Sequence, residues 1–109
     1  MSRKLANTWF DAFREKNISI LEANLAEDFV HTSPYGIVKG REAYLDMVRE
    51  NPEAFFSPVI DILDVIEGSN SFAVRYLVND NPACDCIYGR DGQIPEIISY
   101  YHVGKKPSF

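Results

Sequence analysis

The hydrophobic pattern of this 109-residue chain changes its period near the middle, and this change restricts the fold more than any other feature. Up to about residue 50, apolar side chains recur every three or four residues, which is the spacing of one helix face. From Val59 onward they alternate with polar ones in short runs rich in Val, Ile and Tyr, which is typical of strands. Helices followed by antiparallel strands predict one α+β domain over residues 1–109.

The first half of the chain predicts three amphipathic helices. Their apolar stripes consist of Leu5, Trp9 and Phe13, then Ile18, Leu21 and Leu25, then Tyr44, Leu45 and Val48. Asn17 separates the first two helices and is a suitable N-cap for the second. The third helix begins at Arg41 and should end before Pro52, because the residue that precedes a proline avoids helical geometry.

The second half of the chain predicts a meander of strands. One further short strand, Phe29 to His31, is predicted earlier, between the second and third helices, and the turn Ser33-Pro34-Tyr35-Gly36 follows it. The longer strands are expected at Val59 to Glu67, Phe72 to Val78, Cys84 to Tyr88 and Ile94 to Val103. A twisted antiparallel sheet curved over three N-terminal helices forms a cone, and the mouth of the cone is the default binding site.

Composition excludes several classes of function. The formal net charge of −5, with basic pairs only at the two ends of the chain, argues against nucleic-acid binding. No apolar run approaches the ~20 residues of a membrane span, and we expect a cytoplasmic protein. Cys84 and Cys86 share one strand face at the limit of disulfide geometry, so we expect free thiols that bind no metal.

Two sets of residues carry a resemblance to a known family. The first set is Trp9, Phe13, Asn17, Leu21, Leu25, Asp28, the run His31 to Gly36, and Gly40-Arg41-Glu42. The second is Asp91 to Ile94, Glu96 and Tyr100-Tyr101-His102. In order and spacing they resemble the SnoaL-like branch of the nuclear transport factor 2-like superfamily. This superfamily contains isomerases, cyclases, hydrolases and non-catalytic binding modules, so the resemblance implies a cone fold and leaves the function open.

The resemblance also shows where this chain departs from the isomerases of the superfamily. The position of their catalytic carboxylate corresponds to Ser33, and the position of their first-helix tyrosine corresponds to Trp9. Their second, protonated acid aligns near Cys84, with Asp85 one residue away and therefore predicted on the opposite strand face. Steroid-isomerase chemistry of that type is not expected.

Acid–base residues are expected on the last strand. The resemblance places Ile98, Tyr100 and His102 on its inward face, which makes His102 and Tyr100 the predicted catalytic pair. The predicted ligand-binding residues are Trp9, Phe13, His31, Tyr35 and Tyr76. For each of these aromatic and histidine side chains, packing in the core or at the surface is the competing interpretation.

Three functions remain open from the sequence. The first is a domain that binds a small apolar molecule in an aromatic pocket, without a cofactor. The second is a cofactor-independent isomerase, cyclase or hydrolase, and the third is a non-catalytic dimerisation module. The resemblance further implies a homodimer, for which strand alternation suggests the face with Arg75, Leu77, Ser99 and Tyr101. The core is expected to contain Leu5, Leu21, Leu25, Phe29, Leu45, Val74 and either Ile97 or Ile98.

Overall fold

The computed structural model describes residues 4–101, and in this range several helices pack on a single mixed sheet. The helices are α1 (Lys4–Arg14), α2 (Ile18–Asn24), α3 (Arg41–Glu50) and α4 (Pro52–Phe56). The strands are β1 (Leu25–Ser33), β2 (Gly36–Lys39), β3 (Ile60–Glu67), β4 (Ser71–Val78), β5 (Asn81–Arg90) and β6 (Gln93–Tyr101). The predicted α+β class is confirmed.

The strands follow the order β2-β1-β6-β5-β4-β3 in one six-stranded sheet. Neighbouring strands are antiparallel except for β1 and β6, which run parallel, with His31 opposite Ile97. This parallel pairing brings the earliest strand to the middle of the sheet, next to the latest one. Residues from the two ends of the described chain therefore meet on the concave face.

The prediction of three helices and a simple meander is incomplete. The third helix has the expected bounds, Arg41–Glu50, but a further short helix, α4, follows it directly. Pro52 follows the end of α3 and is the first residue of α4. Proline is tolerated at the first helical position because the N–H that it lacks would have no hydrogen-bond partner within the helix. The edge strand β2 was missed because its four residues are mostly exposed and show no alternation of burial.

Local signals explain the helix starts and the hydrophobic core. Asn17 caps α2, and its side-chain oxygen accepts a hydrogen bond of 3.0 Å from the backbone N–H of Ser19. The predicted core residues are all buried, with Ile97 rather than Ile98 facing inward; they are Leu5, Leu21, Leu25, Phe29, Leu45, Val74 and Ile97. No helix among residues 4–101 is long and apolar enough to cross a membrane.

Candidate functional site

A cavity of about 610 Å³ opens between the helices and the concave face of the sheet. Most of its wall is aromatic or aliphatic. The larger wall residues are Trp9, Phe10 and Phe13 from α1, Tyr44 and Met47 from α3, Phe55 from α4, and Tyr76 and Tyr101 from the sheet. Such a volume and lining are typical of a site for a small organic molecule.

Four polar side chains cross the concave face at one level, one from each of four adjacent strands. We call them the polar row: His31 on β1, Ser99 on β6, Asp85 on β5 and Tyr76 on β4. Each of the four exposes 6% of its surface or less, and His31, Tyr76 and Asp85 line the cavity. Buried polar groups of this kind require hydrogen-bond partners, and each member of the row has one.

Asp85 is the centre of the polar row. Its Oδ1 accepts a hydrogen bond of 2.9 Å from the Tyr76 hydroxyl, and its Oδ2 accepts one of 2.9 Å from Nε1 of Trp9 on α1. The Ser99 hydroxyl also bonds to this carboxylate. Burial raises the pKa of Asp85, and the hydrogen bonds from Trp9, Ser99 and Tyr76 act against that rise. A carboxyl group with a raised pKa in a cleft is a recognised mark of a functional site.

His31 is the second ionisable group of the row. Its Nε2 lies 3.0 Å from Oγ of Ser99, and its ring packs among Trp9, Phe29 and Tyr44 at centroid distances of 5.2–6.5 Å. Burial lowers the pKa of His31 to about 4. The imidazole is therefore neutral at neutral pH, with one ring nitrogen protonated and the other available as an acceptor.

The residues predicted to bind a ligand come together in this structure. Trp9, Phe13, His31, Tyr35 and Tyr76 all line the one cavity. Tyr35 lies at the rim with 78% of its surface exposed, and its ring is 5.9 Å from that of Tyr101. Their role in binding stays a prediction, but their placement agrees with it.

Of the predicted catalytic pair, Tyr100 is the member that the structure describes. Tyr100 points outward with 58% of its surface exposed, so its assignment to the inward face is wrong. His102 lies outside the described residues. Ser99 and Tyr101 point inward, which also removes them from the expected dimer face, whereas Arg75 and Leu77 do lie on the outer face.

The prediction that Asp85 faces away from the pocket is also wrong. Asp85 points inward, and the half-buried thiols of Cys84 and Cys86 lie on the opposite face, unbridged. The structure pairs Asp85 with Ser99 on the inner face and Cys84 with Tyr100 on the outer one. The resemblance had aligned Cys84 and Tyr100 with inward positions, so β5 and β6 were both assigned one residue out of phase.

One signal in the sequence pointed to Asp85. It alternates with Ala83 and Ile87, which are buried on the same face of β5. Among the other cavity residues, Tyr44 and Phe55 were missed because their helices reach the site only through tertiary packing, against Phe29 and Phe13.

The sequence was also compared with known families. A family model described as a SnoaL-like domain matches residues 6–97. The chain belongs to this family. Comparison of the SnoaL-like domain with functionally curated proteins gives no match.

Solved structures show the same fold as this SnoaL-like domain. A nuclear transport factor 2-like protein of unknown function from Cytophaga hutchinsonii superposes with a TM-score of 0.77 at 18% identity, over 94% of this chain and 90% of that one. A candidate ketosteroid isomerase from Kribbella flavida gives 0.76 at 21% identity, over 97% and 81%. A candidate polyketide cyclase from Sinorhizobium meliloti gives 0.77 at 20% identity, over 88% and 93%. These likenesses establish the fold only.

Proposed function

We propose that this SnoaL-like domain binds one small, uncharged, mainly apolar molecule that carries a carbonyl or hydroxyl oxygen. The observation that carries the proposal is an aromatic cavity of about 610 Å³ whose inner wall ends in the buried carboxyl of Asp85. Aromatic walls supply the apolar contact area, and the polar row supplies hydrogen bonds that orient one oxygen of the ligand. A cavity of this size also argues against a domain that serves only for dimerisation and whose interior is filled by its own side chains.

The charge of the site supports an uncharged ligand. None of the described residues that line the cavity is Lys or Arg. The carboxyl of Asp85 is either negatively charged or neutral, and His31 is neutral at pH 7 because burial lowers its pKa to about 4. The polar row therefore offers no positive charge to a ligand. A bound carboxylate or phosphate would lose its hydration without gaining a cationic partner, which costs several kcal/mol.

A matched pair of probes tests this proposal. We expect 2-acetylnaphthalene, a neutral ketone, to bind, and 2-naphthoate, an anion of nearly the same shape, to bind about tenfold or more weakly. Isothermal titration calorimetry at pH 7.5 measures both. Phe13→Ala, in the wall, should weaken ketone binding, while Tyr100→Phe, on the outer face, should leave it unchanged. Equal affinity for the two probes, or binding insensitive to Phe13→Ala, would contradict the proposed site.

Acid–base catalysis is the second candidate function, and the placement of Asp85 favours it. A carboxyl with a raised pKa and a neutral imidazole face one cavity, and either group can serve as a general base or acid for proton transfer next to a carbonyl. The structural relatives named as a candidate isomerase and a candidate cyclase agree with this chemistry.

The same ketone separates catalysis from binding. A catalytic site should accelerate deuterium exchange at the methyl group of 2-acetylnaphthalene in D₂O, followed by loss of its proton NMR signal. Asp85→Asn should abolish the acceleration while the ketone still binds. If the deuterium exchange proceeds at the rate measured in buffer alone while the ketone still binds, the domain binds such ketones without catalysing proton transfer.

We further propose that the domain forms a homodimer through the outer face of the sheet. Ile66 on β3 and Tyr100 on β6 expose more than half of their surface there, and Leu77 and Ile98 are half-buried between them. Arg75 forms an ion pair of 3.5 Å with Asp64 on the same face. Exposed apolar side chains next to charged ones are typical of a surface that another protein covers.

A further inference from the structure

We propose that Ser99 is a positioning residue that couples the protonation state of Asp85 to the tautomer of His31, so that the two groups respond to a ligand as one unit. The inference deepens the proposed function by naming how its polar row is controlled. It predicts a property of the empty protein, so its failure and the failure of ligand binding are separate results.

The register of the sheet places Ser99 between the two groups. Asp85 and Ser99 are directly opposite partners in the antiparallel pair β5–β6, and both are buried on the concave face of the sheet. Cβ atoms of such partners are about 5 Å apart, which is within reach of a hydroxyl and a carboxyl group. On its other side β6 pairs with β1, and from there His31 places Nε2 3.0 Å from the Ser99 oxygen.

The proton count at Ser99 provides the coupling between Asp85 and His31. A hydroxyl carries one proton, so Ser99 donates to one neighbour at a time, and an ionised carboxylate only accepts. While Asp85 is charged, Ser99 donates to it and must accept from Nε2–H of His31. The His31 proton is then on Nε2, and Nδ1 is the basic nitrogen.

Protonation of Asp85 reverses this arrangement. The carboxyl group then has its own proton and no longer requires the one on Ser99. The hydroxyl rotates and donates to Nε2 of His31, so the ring proton moves to Nδ1 while the imidazole stays neutral. One proton has been gained in total, by Asp85, and His31 has changed only its tautomer. A ligand oxygen that accepts a hydrogen bond from protonated Asp85 would select this second state.

One other group that faces the polar row, Tyr101, also hydrogen-bonds to Ser99. As a neutral phenol it can donate to the Ser99 oxygen in both states, which leaves the single Ser99 proton for Asp85 or His31. The remaining titratable groups that face the row are phenols: Tyr44 from α3, Tyr76 from β4 and Tyr101 from β6. Burial raises the pKa of each of them, that of Tyr101 to about 12, so all three stay neutral near pH 7. Tyr76 and Trp9 keep Asp85 hydrogen-bonded in both states.

Nuclear magnetic resonance tests the coupling without any ligand. The chain has only two histidines, so two-bond ¹H–¹⁵N spectra of labelled protein resolve the tautomer of His31, assigned with His31→Gln. The ¹³C shift of the Asp85 carboxyl reports its protonation in the same sample, between pH 6 and 9. We expect the Nε2–H tautomer wherever Asp85 is a carboxylate and the Nδ1–H tautomer wherever it is an acid. If the tautomer of His31 and the protonation state of Asp85 disagree with this expectation at any pH in this range, the inference is overturned.

Two substitutions of Ser99 test whether the coupling passes through its hydroxyl group. Ser99→Ala should shift the tautomer ratio of His31 at the pH where the native protein has one dominant form, and Ser99→Thr should restore the native ratio. A purely structural role of Ser99 would change stability without this pattern of loss and rescue. If Ser99→Ala folds, as judged by its amide spectrum, and keeps the native tautomer, the coupling does not pass through Ser99. If Ser99→Ala does not fold, Ser99→Thr decides alone: the native tautomer ratio supports the coupling, and an altered ratio overturns it.

Discussion

The buried imidazole of His31 links the stability of the domain to pH. Burial lowers its pKa from 6.5 to about 4, so the unfolded chain binds a proton more readily than the folded one between these values. The stabilisation is complete above pH 6.5 and is lost as the pH falls through about 4. We expect this one group to cost about 3 kcal/mol of unfolding free energy over that range, measured by urea denaturation.

The control is His31→Gln, which keeps a hydrogen-bonding side chain and cannot titrate. Asp85 acts with the opposite sign, since its raised pKa favours the folded state at low pH and this contribution is lost as the pH rises through the folded pKa. For this reason the prediction concerns the difference between native protein and His31→Gln, in which the Asp85 contribution largely cancels. A difference that does not change between pH 7.5 and 4 would mean that His31 is not buried as described.

At the scale of single strands, the sequence determined which segments are strands more reliably than which way their side chains point. Ile97 and Ile98 are adjacent and equally apolar, so alternation alone leaves the phase of β6 open. The resemblance settled that phase wrongly, and it aligned β5 with the same offset of one residue, so Cys84 and Tyr100 were both expected to face inward. Asp85, Ser99 and Tyr101 were therefore assigned to the outer face together.

Helix phase, in contrast, follows from the sequence alone, and α2 offers a test. Leu21 is 1% exposed and belongs to the main hydrophobic cluster. Leu21→Ala should lower the unfolding free energy by about 2–5 kcal/mol, as for other buried leucines. Leu63→Ala on β3, where half of the side chain is exposed, should cost about 0.5 kcal/mol or less. Equal effects of the two substitutions in urea denaturation would show that the buried face of α2 is wrongly assigned.

For the whole molecule, the sequence predicted the class of fold and part of the aromatic cavity wall, but not the polar row. Trp9, Phe13 and Tyr76 follow from local periodicity. The row requires β1 to pair with β6, a contact between segments more than sixty residues apart that no local pattern specifies. The hydrogen bonds between His31 and Ser99 and between Trp9 and Asp85 depend on this long-range arrangement.

The proposed dimer is a further prediction at this scale. We expect light scattering after size-exclusion chromatography to give twice the mass of one chain at micromolar concentration. Tyr100→Lys, which places a charge in the exposed apolar part of the outer face, should shift the mass toward that of one chain. The matched change Tyr35→Lys, at the cavity rim, should leave the mass unchanged. A native protein that elutes as a single chain would contradict the proposal.

The bond between Trp9 and Asp85 gives the protein a built-in optical reporter. Trp9 is the only tryptophan of the chain, and its indole N–H donates a hydrogen bond to the carboxyl of Asp85 at the centre of the polar row. Indole emission depends on nearby charge and on water, so the colour and intensity of the intrinsic fluorescence follow both the charge on Asp85 and the filling of the cavity. Compound libraries can therefore be screened against the unlabelled protein by its intrinsic fluorescence. A change in Trp9 emission then indicates that a compound binds in the cavity.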